Sequence, residues 1–403
     1  MKKVIIIGAG PAGMMAAIEA SKNNNVFLLD GNDKLGKKLF ITGKGRCNVT
    51  NAKNIGDFFD YIKGNPEFLY SSLYSFTNED TMKFFESRGI KLKVERGDRV
   101  FPLSDKSSDI IKGLKMALKE NNVNILFNHK VTDINVVNNK IISVVCNDKI
   151  IEGDYFIIAT GGASYESTGS KGEGQKFAKK MGHKIIPLKP SLVPIELEEK
   201  FVQNLMGLSL KNVNLKIFEN NKVVYNELGE MLFTHFGISG PLVLSGSRFI
   251  KENEKYKVSI DLKPALDFKA LDNRILRDFK KYSNKEFKNS LNDLLPKKII
   301  DTIIMLSNIK EDKKVNEITK EERKNLVSLL KNLTFNVKGL RSLNEAIVTK
   351  GGVDTHEIDP STMKSKIISN LSFAGEVIDV DAFTGGYNVQ IALSTGYIAG
   401  SSI

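Results

Sequence analysis

The first thirty residues, MKKVIIIGAGPAGMMAAIEASKNNNVFLLD, constrain the fold of this chain more than any other stretch. Residues 4–7 form a continuous apolar, β-branched run, as in a parallel strand covered on both faces. The run enters Gly8-Ala9-Gly10-Pro11-Ala12-Gly13, a G-x-G-x-x-G turn. Here Gly8 allows the tight bend, Gly10 lets backbone approach a pyrophosphate, and Gly13 lets helix and strand pack closely. Pro11 suits the first helical position, where its missing N–H costs nothing. The free N–H groups and positive dipole end of that helix favour a phosphate. Residues 26–29 read as a second buried strand, with Asp30 at its tip to hold a ribose hydroxyl and Gly31 beside it. Strand, glycine turn, helix, strand and acid in this order predict a dinucleotide site.

Lys2-Lys3 ahead of an apolar run is also how a secretory signal begins. Pro11 and three glycines interrupt the apolar region, however, and a well-formed strand follows where a mature protein would start. No run of about 18 apolar residues occurs, so no membrane span is expected. Two cysteines, Cys47 and Cys146, and four histidines supply neither a disulfide framework nor metal-ligand spacing. No metal is expected, and the cysteine usage fits a reducing cytoplasm. The formal charge of +12 is spread over lysines interleaved with acids, notably across residues 269–331, which reads first as a solvated face. Such a surface still favours anionic partners. Without an aromatic-basic cluster to stack single strands, the expected partner is a small molecule and not nucleic acid. The sequence leaves the oligomeric state open.

Residues 31–51, GNDKLGKKLFITGKGRCNVTN, show too little apolar periodicity for a helix or strand and read as an ordered functional loop. Residues 58–89 have helical spacing, with Thr77 or Asn78 as a cap. Residues 91–95 and 99–101 form a hairpin around Arg96-Gly97-Asp98, and residues 107–120 an amphipathic helix. Strands follow at 123–127, 131–137, 140–146 and 149–152, with Asn138-Asn139 and Asn147-Asp148 as turns. A further strand at 155–159 runs into Thr160-Gly161-Gly162. A three-stranded meander that returns to an A-T-G turn is the layout of glutathione-reductase-type FAD domains. Residues 173–181 read as a helix and 189–194 as a Pro-punctuated exit. Beyond it, short strands (213–218, 223–226, 230–234, 257–261) mix with lysine-rich helices (271–282, 296–306, 321–330). The predicted architecture is α/β, a discontinuous Rossmann-like domain (1–190 and 345–403) with an inserted β-rich and helical substrate domain (191–344).

Two C-terminal motifs separate FAD from NAD. A strand over 371–373 runs into Ala374-Gly375-Glu376, and Gly385-Gly386-Tyr387-Asn388 opens an apolar helix over 389–399. A glycine-rich helix start facing the isoalloxazine stabilises the anion formed on two-electron reduction. Gly375, Glu376, Asp379, Gly385, Gly386, Tyr387, Asn388 and Val389 therefore enter the expected cofactor set, and FAD is the expected cofactor.

At these residues the chain resembles the BaiN-like (YhiN-like) family of NAD(P)/FAD-dependent flavoproteins over nearly its whole length. The resemblance rests on Gly8–Gly13, on Lys37-Lys38-Leu39-Phe40-Ile41-Thr42-Gly43-Lys44-Gly45-Arg46-Cys47-Asn48-Val49-Thr50-Asn51, and on Phe101-Pro102. Ala159-Thr160-Gly161-Gly162, the T-H-x-G-x-S-G-P string at 234–241, Thr349-Lys350-Gly351-Gly352-Val353 and residues 374–388 complete it. The family usually has Glu where this chain has Asp30; the shorter side chain leaves room for a bridging water, and the role survives. The resemblance implies a hydride passed from NAD(P)H through FAD to an unsaturated ketone or similar small substrate. Two alternatives are a flavin amine or amino-ketone oxidase using oxygen, and an RNA-associated flavoprotein related to tRNA-modifying enzymes.

Thr42, Gly43, Gly45, Arg46, Cys47 and Asn48 combine backbone freedom with charge and an amide, suiting a loop along the FAD. Gly31, Lys37, Lys38 and Val131 join the expected cofactor contacts. Three side chains are candidates for catalysis. Cys47 is a thiol, though without a C-x-x-C partner; His235 precedes the Pro241 helix; Tyr387 adjoins the predicted flavin edge. No second strand-linked G-x-G-x-x-G occurs, so a nicotinamide must dock transiently against the ring, with help from the inserted domain.

Overall fold

In the computed structural model, which describes residues 1–251 and 253–403, strand β1 (Lys3–Ile7) is the middle of a five-stranded parallel sheet. The order is β19 (Leu371–Phe373), β10 (Tyr155–Ile158), β1, β2 (Asn25–Leu29), β6 (Asn124–Leu126). Val4, Ile5 and Ile6 are wholly buried, which suits a strand covered on both faces. Burying each such side chain contributes about 2 kcal/mol. Helix Pro11–Ala20 is apolar on nearly every side and packs against the C-terminal helix Tyr387–Ser401. The contact is close because Gly396 and Gly400 lack side chains. A Cβ at either would lie 2.3 Å from the carbonyl oxygen of Ala12 or Ala16.

The meander forms a separate three-stranded sheet of β7 (Val131–Val137), β8 (Lys140–Cys146) and β9 (Lys149–Glu152). Asn138-Asn139 and Asn147-Asp148 all have positive φ, as two-residue hairpin turns require. A second small sheet orders β3 (Thr50–Asn51), β5 (Arg99–Pro102) and β4 (Leu92–Glu95). A third pairs β11 (Ile185–Ser191) with β18 (Val348–Val353).

The chain divides into two compact units, Met1–Ser191 with Leu343–Ile403, and Leu192–Ser342. The second unit is a closed antiparallel barrel with its own core. Its strands run β12 (Ile195–Leu197), β15 (Gly237–Ser239), β14 (Lys222–Phe233), β13 (Ser209–Glu219), β16 (Tyr256–Asp261), β17 (Leu333–Leu340). Helices Phe268–Lys281, Lys297–Ser307 and Lys320–Lys331 contribute Leu271, Ile275, Ile303, Leu326 and Leu330 to that core.

Four local expectations need correcting. Residues 31–51 are not helix-free, because Lys37–Gly45 is helical up to a break at Thr42–Lys44. Buried Leu39 and contact with helix Ser107–Glu120 hold it, a tertiary term that periodicity cannot register. Residues 58–89 hold three helices, Phe58–Tyr61, Tyr70–Ser75 and Asn78–Glu86; Pro66 interrupts the run and Thr77 caps the last with Asp80 in a capping box. The runs 223–226 and 230–234 are one strand. The exit at 189–194 begins as strand β11, whose prolines are tolerated at the edge of a two-stranded sheet.

Candidate functional site

The three glycines of the first turn have different reasons to be glycine. Gly8 has φ +104°, and a Cβ there would lie 2.5 Å from the Ala159 carbonyl oxygen. At Gly13 a Cβ would meet the Gly8 carbonyl oxygen at 1.9 Å. Both serve the fold. Apart from its own chain neighbours, Gly10 has no protein atom within 4 Å of where its Cβ would stand, so its α-carbon borders open space. Helix Pro11–Ala20 starts behind it with Pro11 in its first turn and no capping side chain. The first-turn N–H groups of Ala12 and Gly13 suit a ligand phosphate. Ala9 is committed differently: its N–H donates to Asp30 Oδ2 at 2.7 Å. Asp30 Oδ1 accepts the Asn32 N–H at 2.8 Å and the Asn32 amide at 2.9 Å. The acid is thus fixed at the tip of β2, with lone pairs to spare for a ribose. Gly31 lies under Lys130, and buried Val131 follows. Open space at Gly10, an uncapped helix and an oriented acid fit the adenosine and pyrophosphate part of FAD.

The other end of the site is built around Glu376. Its Oε2 accepts from Lys38 Nζ at 2.7 Å, and its Oε1 accepts the Thr349 N–H at 2.6 Å. Lys38 also donates to Ser164 Oγ at 2.8 Å. Thr349 Oγ1 accepts the Ala163 N–H at 2.8 Å, just beyond Ala159-Thr160-Gly161-Gly162. Gly162 leaves no room for a side chain, since a Cβ would lie 2.3 Å from Thr349 Oγ1. Gly375, with φ +76°, donates its N–H to Thr395 Oγ1 at 3.0 Å and lies against Ala12. Asp379 accepts the Gly351 N–H at 3.0 Å and the Asn65 amide at 3.2 Å. The structure therefore brings Lys38, Gly162 and Glu376 together, far apart as they are in sequence. Lys37 instead pairs with Asp33 at 3.0 Å, partly exposed, away from this group of bonds.

The loop at 42–51 departs most from expectation. Arg46, read as a cofactor contact, donates to Glu95 and to Asp105 (2.6 Å) and covers the Phe101 ring at 4.2 Å. Lys93 closes the cluster on Asp105 at 2.7 Å. Its Nε and Nη2 are engaged by two carboxylates that also raise its pKa, which weighs against a cofactor contact from those atoms. Cys47 is fully buried, with φ +56°, and burial pushes its thiol up to about 12. A thiol that stays protonated at neutral pH is no nucleophile, so the catalytic reading of Cys47 is corrected. Thr42 Oγ1 donates to the Leu39 carbonyl at 2.7 Å, and the Cys47 N–H donates to the Thr42 carbonyl at 3.0 Å. Gly43 and Gly45 have positive φ, and Lys44 between them does as well. Asn48 and Asn51 turn towards Gly385 and Gly386 and not outward.

Tyr387 is buried, stacked on Tyr61 at 4.7 Å and edge-on to Phe58 at 5.0 Å. Burial, with Tyr61 and the acids Asp98 and Asp57, holds its phenol well above the ordinary value. It packs the start of the C-terminal helix and keeps its phenol proton at neutral pH. Asn388 closes the same turn, with its amide bonded to the Ala382 N–H (3.0 Å) and carbonyl (2.9 Å). Val389 follows in the uncapped first turn. His235 belongs to the barrel unit, exposed between β14 and β15 and edge-on to Phe236 at 4.9 Å. Among the described residues no group of three His, Cys, Asp or Glu is arranged for a metal ion. Sequence reasoning missed Ser164, Thr349 and Asn51 as site-building residues. Thr349 and Asn51 lie inside the strings that carry the family resemblance, whereas nothing local marks Ser164.

Comparison with known proteins adds the following. The family described as HI0933-like protein Rossmann domain matches residues 2–402. A 3-dehydro-bile acid delta(4,6)-reductase of Clostridium scindens is 30% identical over 99% of this chain and 98% of its own length. A ribosomal RNA dihydrouridine synthase of Haemophilus influenzae is 34% identical over 99% and 98%. Among solved structures, a 3-ketosteroid delta1-dehydrogenase from Sterolibacterium denitrificans superimposes with a TM-score of 0.53 at 12% identity, covering 99% of this chain and 98% of the other. That last likeness speaks to fold alone.

Proposed function

The chain belongs to the HI0933-like Rossmann family and is an FAD-dependent oxidoreductase, and from that premise we propose that it reduces a carbon–carbon double bond conjugated to a carbonyl, with NAD(P)H as electron donor. The observation that carries this reading is a pair of uncapped helix N-termini in one unit, one behind Gly10 and one behind Gly386. Asp30 and the helix at Pro11 would hold the adenosine and phosphates. Glu376, fixed by Lys38 and Thr349, would hold the chain beyond them. Bound FAD supplies a two-electron carrier between donor and acceptor. The N–H groups at the start of Tyr387–Ser401 favour the negative charge that develops on reduction. In the acceptor, hydride adds to the carbon β to the carbonyl and a proton to the α carbon. That proton comes from a protonated side chain beside the bound substrate or from water.

The bile-acid reductase and the dihydrouridine synthase both carry substrate names compatible with this chemistry. An enone steroid has such a bond, and so does the uracil ring, in which C6 is β to the C4 carbonyl. A uridine in RNA is therefore a second reading, favoured by the charge of +12 and by the 34% identical relative. Lysines on the inserted unit offer phosphate contacts, among them Lys285 over the Tyr282 ring at 4.3 Å. The test incubates the FAD-loaded protein and NADH or NADPH with a 3-keto-4-ene steroid and, separately, with ribosomal RNA. A gain of two hydrogens on the steroid, or dihydrouridine in the RNA, supports the class and selects the substrate. Peroxide release from amines without nicotinamide, and neither product, would overturn it.

A further inference from the structure

We propose that Asn48 and Asn51 are positioning residues that fix the Gly385–Gly386 turn, present the start of helix Tyr387–Ser401 to the bound flavin, and so set its reduction potential. The inference rests on the reading of this unit as an FAD site. It concerns the T-G-x-G-R-C-N-x-T-N string, whose asparagines look on the sequence like cofactor ligands.

Gly385 and Gly386 have φ of +129° and +98°. A Cβ on Gly386 would stand 2.3 Å from the Thr50 carbonyl oxygen, so β3 lies directly on the turn. With its amide oriented to satisfy its surroundings, Asn48 accepts the Gly386 N–H at 3.0 Å. In that orientation it donates to the carbonyls of Thr50 (2.9 Å) and Val100 (3.1 Å). Asn51, almost wholly buried, donates to the carbonyls of Gly385 and Gly97, both at 3.0 Å. Its oxygen accepts the Lys53 N–H at 3.1 Å. One turn into the helix, Thr50 Oγ1 donates to Gln390 Oε1 at 2.6 Å, and the Gln390 amide donates to the Phe76 carbonyl at 3.0 Å.

The motif thus grips the turn by one backbone N–H, one carbonyl and one side chain in the first helical turn. Both asparagines use donor and acceptor together, which a carboxylate cannot do. Two adjacent residues at positive φ are held by this grip from one side and by the Asn388 side chain, bonded to Ala382, from the other. The helix beyond carries no side-chain cap, so its orphan N–H groups are free to face a ligand, and their direction follows from the turn. Groups aimed at charge that appears only on reduction stabilise the reduced state more than the oxidised one. Loosening them therefore makes reduction harder.

The experiment measures the two-electron midpoint potential of the full-length, FAD-loaded protein and of Asn48→Ala, Asn51→Ala and Thr50→Val. Thr319→Ala serves as the control, since it removes a helix cap in the barrel unit. Both asparagine variants are expected to retain FAD through the intact Gly10 and Asp30 end. The reduction equilibrium should shift at least tenfold towards oxidised flavin, about 30 mV for a two-electron couple. Thr50→Val should move it in the same direction by less, and it keeps the test open if an asparagine variant fails to fold. Retained FAD with an unchanged potential, or an equal shift in Thr319→Ala, would overturn the proposal. Failure of the parent protein to take up FAD would instead overturn the reading of the site on which it rests.

Discussion

Gly10 and Gly13 separate ligand binding from folding within one motif. Gly10 borders open space at an ordinary φ of −76°, so Gly10→Ala should leave the ligand-free melting temperature within about 2 °C while weakening FAD binding at least tenfold. Gly13→Ala puts a methyl group 1.9 Å from a carbonyl oxygen and should destabilise the protein by about 2–4 kcal/mol. Calorimetry and FAD titration of the two variants distinguish these outcomes; equal losses of stability would contradict the division. For Cys47, a thiol pushed up to about 12 inside the core should resist alkylation of the native protein at pH 8. Cys47→Ala should keep flavin turnover, and loss of turnover with FAD retained would contradict the assignment. The glycine turn and Asp30 were legible because their geometry is local. Arg46 and Cys47 were not, because Glu95, Asp105 and the enclosing core arrive from elsewhere in the chain.

Among elements, helix Glu173–Lys180 is tied down by His183 just beyond its end. The buried imidazole bonds the Ala178 carbonyl through Nδ1 at 3.2 Å and Ser365 Oγ through Nε2 at 2.7 Å. Burial lowers its pKa, with the Ala178 bond and Glu357 opposing. The folded state therefore resists the proton that the unfolded chain accepts near pH 6.5. Stability from this group is present above that pH and falls as pH drops through it, levelling off below the depressed folded value. Urea titrations between pH 7.5 and 5.5 should show that decline, reduced in His183→Gln; an identical decline in the variant would place it elsewhere. Strands and amphipathic helices were readable from period and turn residues, as Asn138-Asn139 and Asn147-Asp148 illustrate. The helix at Lys37–Gly45 was not, because its stability comes from buried Leu39 and a neighbouring helix. Likewise the 42–51 string announced its importance, but its action on Gly385 and Gly386 is a contact across more than 300 residues of sequence.

The whole molecule consists of a Rossmann unit assembled from both ends of the chain and a barrel unit encoded between them. No helix among the described residues is long and apolar enough to cross a membrane. Parallel sheet, meander and C-terminal return were legible because each has its own pattern. Closure of the barrel was not, since it depends on β12 pairing with β17 across the intervening sequence. Family membership and the two uncapped helix starts make flavin redox chemistry the centre of this account, with the nicotinamide donor as its most exposed claim. The most direct measurement is anaerobic mixing of the FAD-loaded protein with NADH and with NADPH while the oxidised-flavin absorbance is followed. The account predicts that at least one nicotinamide bleaches the flavin, and that an enone or a uridine-containing RNA restores the colour. An oxidised spectrum that persists under excess of both nicotinamides would contradict it.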